Sequence, residues 1–166
     1  MVSVVRFDRQ QNTAGTLYYH VVQVVATNFT AGTTFTTANA YQTLNGGSVS
    51  ITPVYSGSKF KVFVNLQGYT TTSNGVNAGI SRTISGTTTR VAGQDGTGDT
   101  WGGSSNGIAT NSVTLHRHYI DSPGVSAGVV ITYNALAGLW SSGQFQVNYT
   151  GAYNIVSNIT VWELQP

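Results

Sequence analysis

The sequence predicts an all-β fold, a single antiparallel β-sandwich spanning residues 1–166, and three observations predict it. Residues 112–164 hold the densest strand signals, clearest in Gln144-Phe145-Gln146-Val147-Asn148-Tyr149. There Phe145, Val147 and Tyr149 point one way while Gln144, Gln146 and Asn148 point the other, as in a strand with one face on a core and one in water. Turn dipeptides recur along the chain, among them Asn45-Gly46, Asn74-Gly75, Ser85-Gly86 and Pro123-Gly124. No helix is predicted, since the best window, residues 134–140, is too short and contains Gly138. Roughly eight to ten strands are expected of such a sandwich.

Taken in order, Val2-Ser3-Val4-Val5-Arg6-Phe7 is a short strand and residues 8–15 a polar loop. Residues 17–25, LYYHVVQVV, form a nearly continuous apolar run whose valine and tyrosine content favours a strand covered on both faces. Residues 26–40, rich in Thr, Asn and Ala, read as irregular with an edge strand. Asn45-Gly46 is the strongest hairpin signal in the chain. It leads into Val49 and Ile51, and Pro53 marks a bend. From Lys59 onwards, Phe60, Val62, Val64 and Leu66 make a core face, with Lys59, Lys61, Phe63 and Asn65 on the other side. Short strands follow at residues 80–84 and 88–92, then a long glycine-rich loop at 95–107 carrying Trp101. Strands at 113–120 and 129–133 flank Ser122-Pro123-Gly124-Val125, a type II turn with proline second and glycine third. Asn158-Ile159-Thr160-Val161-Trp162-Glu163-Leu164 closes the chain as a strand.

Composition narrows the function classes. Charged residues make up 7% of 166, against ~25% in ordinary domains, while 40% are hydrophobic and 11% aromatic. Sheets with uncharged Thr, Ser, Asn and Gln outer faces suit burial in an assembly. The net charge is +2, and the basic residues Arg6, Arg9, Lys59, Lys61, Arg82, Arg90 and Arg117 are scattered without a basic arm, so no nucleic-acid partner is expected. There is no cysteine, hence no disulfide framework and no thiolate metal site. The first ten residues lack the apolar core of a signal peptide, and no stretch reaches the ~20 apolar residues of a membrane span. Synthesis and assembly in a cytosol, without a membrane partner, are the expectation.

The C-terminal block resembles a recurring module of bacteriophage virion surface proteins. The residues that carry the resemblance are Tyr119-Ile120-Asp121-Ser122-Pro123-Gly124, Val129-Val130-Ile131-Thr132-Tyr133, a strand ending in Asn148, and Ile159-Thr160-Val161-Trp162-Glu163. In the family the pattern reads roughly YLDSP…TYxV…VxxN…ITxxE, clearest here over residues 112–164, with residues 58–65 fitting an earlier core strand. The resemblance implies a small, commonly trimeric jelly-roll-like domain of marine-phage capsid decorations, knobs or tail-fibre heads. It implies a location on the virion, self-association as a homotrimer and contact with capsid or other virion proteins. It brings no catalytic residue and no cofactor. The chain is short, opens on Met1 and shows no heptads or shaft repeat, which favours a capsid decoration or knob-like protein over a tail fibre. The alternative is a tail-fibre receptor-binding domain recognising a host-surface glycan.

Candidate contact residues are Trp101, Trp140, His116 and His118. Tryptophan in a loop is either a plug folded onto the sandwich or an interface contact. His116-Arg117-His118 puts two imidazoles on one face of a strand, suited to hydrogen bonding between subunits and, on a three-fold axis, to a metal. Structural hydrogen bonding is the commoner use, and no metal is expected. Asp95, Asp99 and Asp121 lack the spacing of an EF-hand. His116, His118 and Asp121 with a serine make a catalytic set only on paper, and no nucleophile elbow is present, so no enzyme is expected. Tyr18, Tyr19, Tyr41, Tyr55, Tyr69, Trp101 and Trp140 supply the stacking faces a glycan reading needs. Asn28, Asn148 and Asn158 sit in Asn-x-Ser/Thr matches that this composition produces by chance, and no glycosylation is expected.

Overall fold

The computed structural model describes residues 3–6, 20–70, 75–93, 111–139, 143–149 and 155–165. Their strands are β1 (Ser3–Arg6), β2 (Val21–Phe29), β3 (Thr33–Phe35), β4 (Ala40–Ile51), β5 (Lys59–Thr70) and β6 (Val76–Ile84), followed by β7 (Thr87–Ala92), β8 (Asn111–Asp121), β9 (Ile131–Leu139), β10 (Phe145–Val147) and β11 (Ser157–Leu164). No helix occurs among the described residues.

Two antiparallel sheets face each other. The smaller runs β4-β9-β6-β7, and the larger runs β1-β2-β11-β5 with β8 on the far edge of β5. β11 pairs with the first part of β5, and the short β10 takes over the same edge at Gly68, Tyr69 and Thr70, carrying β3 beyond it. Apart from β1, β3 and β10, the strands pair from the outside of the chain inwards: β2 with β11, β4 with β9, β5 with β8, β6 with β7. That nesting arises when one long two-stranded ribbon wraps around itself, and it is the topology of a jelly roll.

The core lies between the sheets. Phe60, Val62, Val64 and Leu66 of β5, with Leu115, Ile159 and Val161 beside them, meet Ile131, Tyr133, Ala135, Ile80 and Ala78 from the smaller sheet. Burying each large aliphatic or aromatic side chain contributes about 1.5–3 kcal/mol relative to leaving it in water, so this layer dominates the stability. The alternation of β5 delivers it directly: even-numbered residues from Phe60 to Thr70 are buried and odd-numbered ones are not.

Several expectations are corrected. The apolar run at 17–25 starts its strand only at Val21 and continues to Phe29, while residues 17–19 lie outside the described residues. The tract at 26–40 is more regular than expected, ending β2 and starting β4, while β3 is the expected edge strand, last in the larger sheet's order. Asn45-Gly46 does not turn a hairpin. It sits inside β4 as a bulge, between Thr43 opposite Leu136 and Ser48 opposite Asn134. Gly46 takes φ +74, Gly47 presses against Phe29 and Leu44, and Asn45 bonds to Thr33 and Gly32. These contacts to the β2–β3 segment hold the bulge where an isolated ribbon would have turned. β9 runs past the strand expected at 129–133 to Leu139, and it begins at Ile131 rather than Val129. Ser85 and Gly86 turn β6 into β7 with positive φ at both, and Gly124 takes the positive φ expected of its turn.

Candidate functional site

Four residues that carry the phage-module resemblance, Asp121, Tyr133, Asn148 and Glu163, are buried and act as polar pins, while Tyr119, Ile120 and Val130 of the same stretches are exposed. Asp121, at the end of β8, is buried and accepts two hydrogen bonds from Arg82 Nη1 at 2.7 and 2.9 Å and one from the Tyr133 hydroxyl at 2.7 Å. Arg82 belongs to β6 and Tyr133 to β9, so this carboxylate ties the edge of the larger sheet to the smaller one. Burial, and then the adjacent Asp121 carboxylate, push the Tyr133 phenol far above the usual tyrosine range.

Glu163 is fully buried in β11 and accepts from Gln23 Nε2 (2.6 Å), Ser58 Oγ (2.6 Å) and the backbone N–H groups of Val54 (2.8 Å) and Tyr55 (3.2 Å). A carboxylate meeting this many donors folds the β4–β5 loop onto the last strand. Asn148 takes φ +54, ends β10, and donates from Nδ2 to the carbonyls of Phe29 and Ala31 while its Oδ1 accepts from Ser157. It clamps the end of β2 to β10 and β11. The left-handed residue also breaks the alternation expected through Tyr149, which is exposed rather than buried with Phe145 and Val147.

The outward side of the larger sheet has a different chemistry. Across β8, β5 and β11 the register sets Ile120, Lys61 and Trp162 in one row and His118, Phe63 and Thr160 in the next. A third row holds His116, Asn65 and Asn158. Phe63 and Trp162 pack with ring centroids 5.0 Å apart at 54°, and the His118 ring lies 6.4 Å from Phe63. The Lys61 ammonium stands 5.0 Å from the Phe63 centroid and 5.9 Å from that of Trp162, within cation–π range of both. Beside this aromatic patch, the His116 Nδ1–H donates to Asn65 Oδ1, Asn65 Nδ2 donates to Asn158 Oδ1 at 2.9 Å, and Thr114 Oγ1 donates to Gln67 Oε1 at 2.8 Å. Further along, Tyr69 stacks on Tyr149 at 5.3 Å.

His116 and His118 therefore do share one exposed face, as expected. Asp121 faces the opposite side of β8, so the paper triad of these three residues is not brought together. Among the described residues, no group of three or more His, Cys, Asp or Glu side chains is gathered to hold a metal ion. Trp101 and Trp140 lie outside the described residues, as do Asp95, Asp99, Tyr18, Tyr19 and the loop at 95–107. Of the other tyrosines, Tyr55 is exposed, and Tyr41 lies over Gly79, Gly93 and Gly138 with the Arg90 guanidinium 5.1 Å from its ring centroid.

Lys61, Phe63 and Trp162 were not singled out as contact residues from the sequence. The signal was present: Phe63 shares the water-facing phase of its strand with Lys59, Lys61 and Asn65, and Trp162 shares that of Asn158 and Thr160.

The chain matches no protein-family model, and no curated protein is similar to it in sequence. Among solved structures it is similar to a chain in the structure of infectious bursal disease virus strain Gx, with 13% identity and a TM-score of 0.41 over 84% of this chain. It is also similar to dimeric latent PorU from Porphyromonas gingivalis, with 14% identity and a TM-score of 0.27 over 84% of this chain. It spans 36% of the length of the virus chain and 10% of that of PorU.

Proposed function

We propose that this chain is a structural protein of a bacteriophage virion surface, of the capsid-decorating or knob-like kind, which self-associates as a trimer and has no enzymatic role. The observation that carries the reading is the placement of the residues through which the sequence resembles phage surface modules. Asp121, Tyr133, Asn148 and Glu163 are buried and join strand to strand or sheet to sheet. Four of the shared residues thus pin the fold, while others, among them Tyr119, Ile120 and Val130, are exposed. A jelly roll with only 7% charged residues also suits assembly. Few ions must be desolvated when its surfaces are covered, and lattice symmetry multiplies weak contacts into firm attachment.

A second reading, a tail-borne receptor-binding domain, is favoured by the aromatic and amide side chains exposed on the larger sheet. Immunogold labelling of intact virions with antibody against the purified chain separates the two. Label spread at high copy over the head is the expected result. Label confined to the tail replaces the decoration reading with the receptor reading, and unlabelled virions remove both.

A further inference from the structure

Among the described residues, acidic and basic side chains are placed differently. The chain has five acidic residues, of which Asp121 and Glu163 lie among the described residues, and both are buried with their oxygens hydrogen-bonded. The Arg82–Asp121 ion pair accordingly belongs to the interior seam, not to the outer face. The outer face of the larger sheet carries Lys59 and Lys61, with His116 and His118 beside them and no carboxylate among its described residues. Lys61, with no carboxylate beside it among the described residues, is complementary to a negatively charged group on a partner.

Two further features of the same rows narrow that partner. Phe63, Trp162 and His118 form a partly exposed aromatic patch, with Lys61 beside the rings and Ile120, 52% exposed, at its border. Ring faces and edges of this kind receive the apolar C–H surface of a sugar ring. Next to the patch run amides and hydroxyls, Asn65, Asn158, Gln67, Thr114 and Thr160, the donors and acceptors that hydroxyl groups need. The runs of Lys and Arg that track a nucleic-acid backbone are absent from the sequence.

We propose that the outer face of the larger sheet, centred on Lys61, Phe63, Trp162 and His118, binds an acidic polysaccharide. Lys61 pairs with a sugar carboxylate, the aromatic patch receives the ring, and the Asn65–Asn158 row bonds its hydroxyls. This deepens the receptor reading but stands whichever part of the virion carries the chain, because it is tested on the purified protein and fails independently of the labelling experiment.

The test is calorimetric titration of the full chain with polygalacturonate, neutral dextran and oligo(dT) at low and at 0.5 M salt. Polygalacturonate is expected to bind, to weaken with salt, and to exceed dextran by about tenfold or more in affinity. Lys61→Gln and Trp162→Thr are each expected to weaken binding by about three- to tenfold with thermal midpoints close to the parent. Lys61→Gln alters only a surface side chain, so it keeps the test decisive should Trp162→Thr fold poorly. Absence of polygalacturonate binding overturns the proposal. So does equal binding of dextran, undiminished binding by a folded Lys61→Gln chain, or oligo(dT) binding as tightly as the acidic sugar.

Discussion

Glu163 shows at the scale of a single residue how a polar group can specify a fold. Its carboxylate collects donors from β2 and from the β4–β5 loop at 2.6 to 3.2 Å, in a position with no exposure to water. Glu163→Ala leaves those buried donors unpaired and is expected to cost about 3 kcal/mol, read from the urea unfolding midpoint. The Asp121 cluster allows a graded comparison. Arg82→Met strands a buried carboxylate and is expected to cost about 3 kcal/mol, whereas Tyr133→Phe removes one neutral donor and costs about 1–2 kcal/mol. Equal effects of the two would contradict the assignment of Arg82 as the principal partner of Asp121.

Tyr133 also has a pH signature. Burial and the Asp121 carboxylate raise its pKa in the folded chain well above its ordinary value near 10. As pH rises, the unfolded chain therefore loses this proton first. Stability is intact below about pH 10 and falls above it, by about 1.4 kcal/mol per pH unit for one such group. Urea midpoints measured between pH 8 and 11 are expected to drop more steeply for the parent than for Tyr133→Phe.

At the scale of elements, Gly68 marks the point where β10 joins β5. A Cβ there would meet the Gln146 carbonyl oxygen and a Phe145 ring carbon at 2.6 Å each. Gly68→Ala is expected to destabilise the chain by about 2 kcal/mol and to speed amide exchange in β10 before the rest of the larger sheet. Unchanged exchange in β10 would contradict the close packing.

The same elements explain what was legible in the sequence. β5 and β11 bury every second residue, so their period, their core faces and even their outward Phe63 and Trp162 could be read from spacing. Asn45-Gly46 misled because its local preference for a turn was overridden by Thr33, Gly32 and Phe29, more than ten residues away in sequence. Asn148 misled in the opposite direction, since alternation continues through Tyr149 while a left-handed residue interrupts the strand. The candidate site was half legible. His116 and His118 were placed on one face by period two, but their neighbours from β5 and β11 are fixed by strand order, which spacing does not encode.

At the scale of the whole molecule, both described carboxylates are buried, and the larger sheet's outer face carries cations but no carboxylate among its described residues. A trimer at micromolar concentration is the expected result of sedimentation, and a monomer under the same conditions would remove self-association from the account. The most direct test of the central claim is the copy number of the chain in gradient-purified virions of the phage proposed to encode it, measured by quantitative mass spectrometry against the major head protein. A virion structural protein is predicted to co-purify at a fixed ratio to that head protein through successive gradients. Abundance in infected cells with loss from the purified particles would contradict the account.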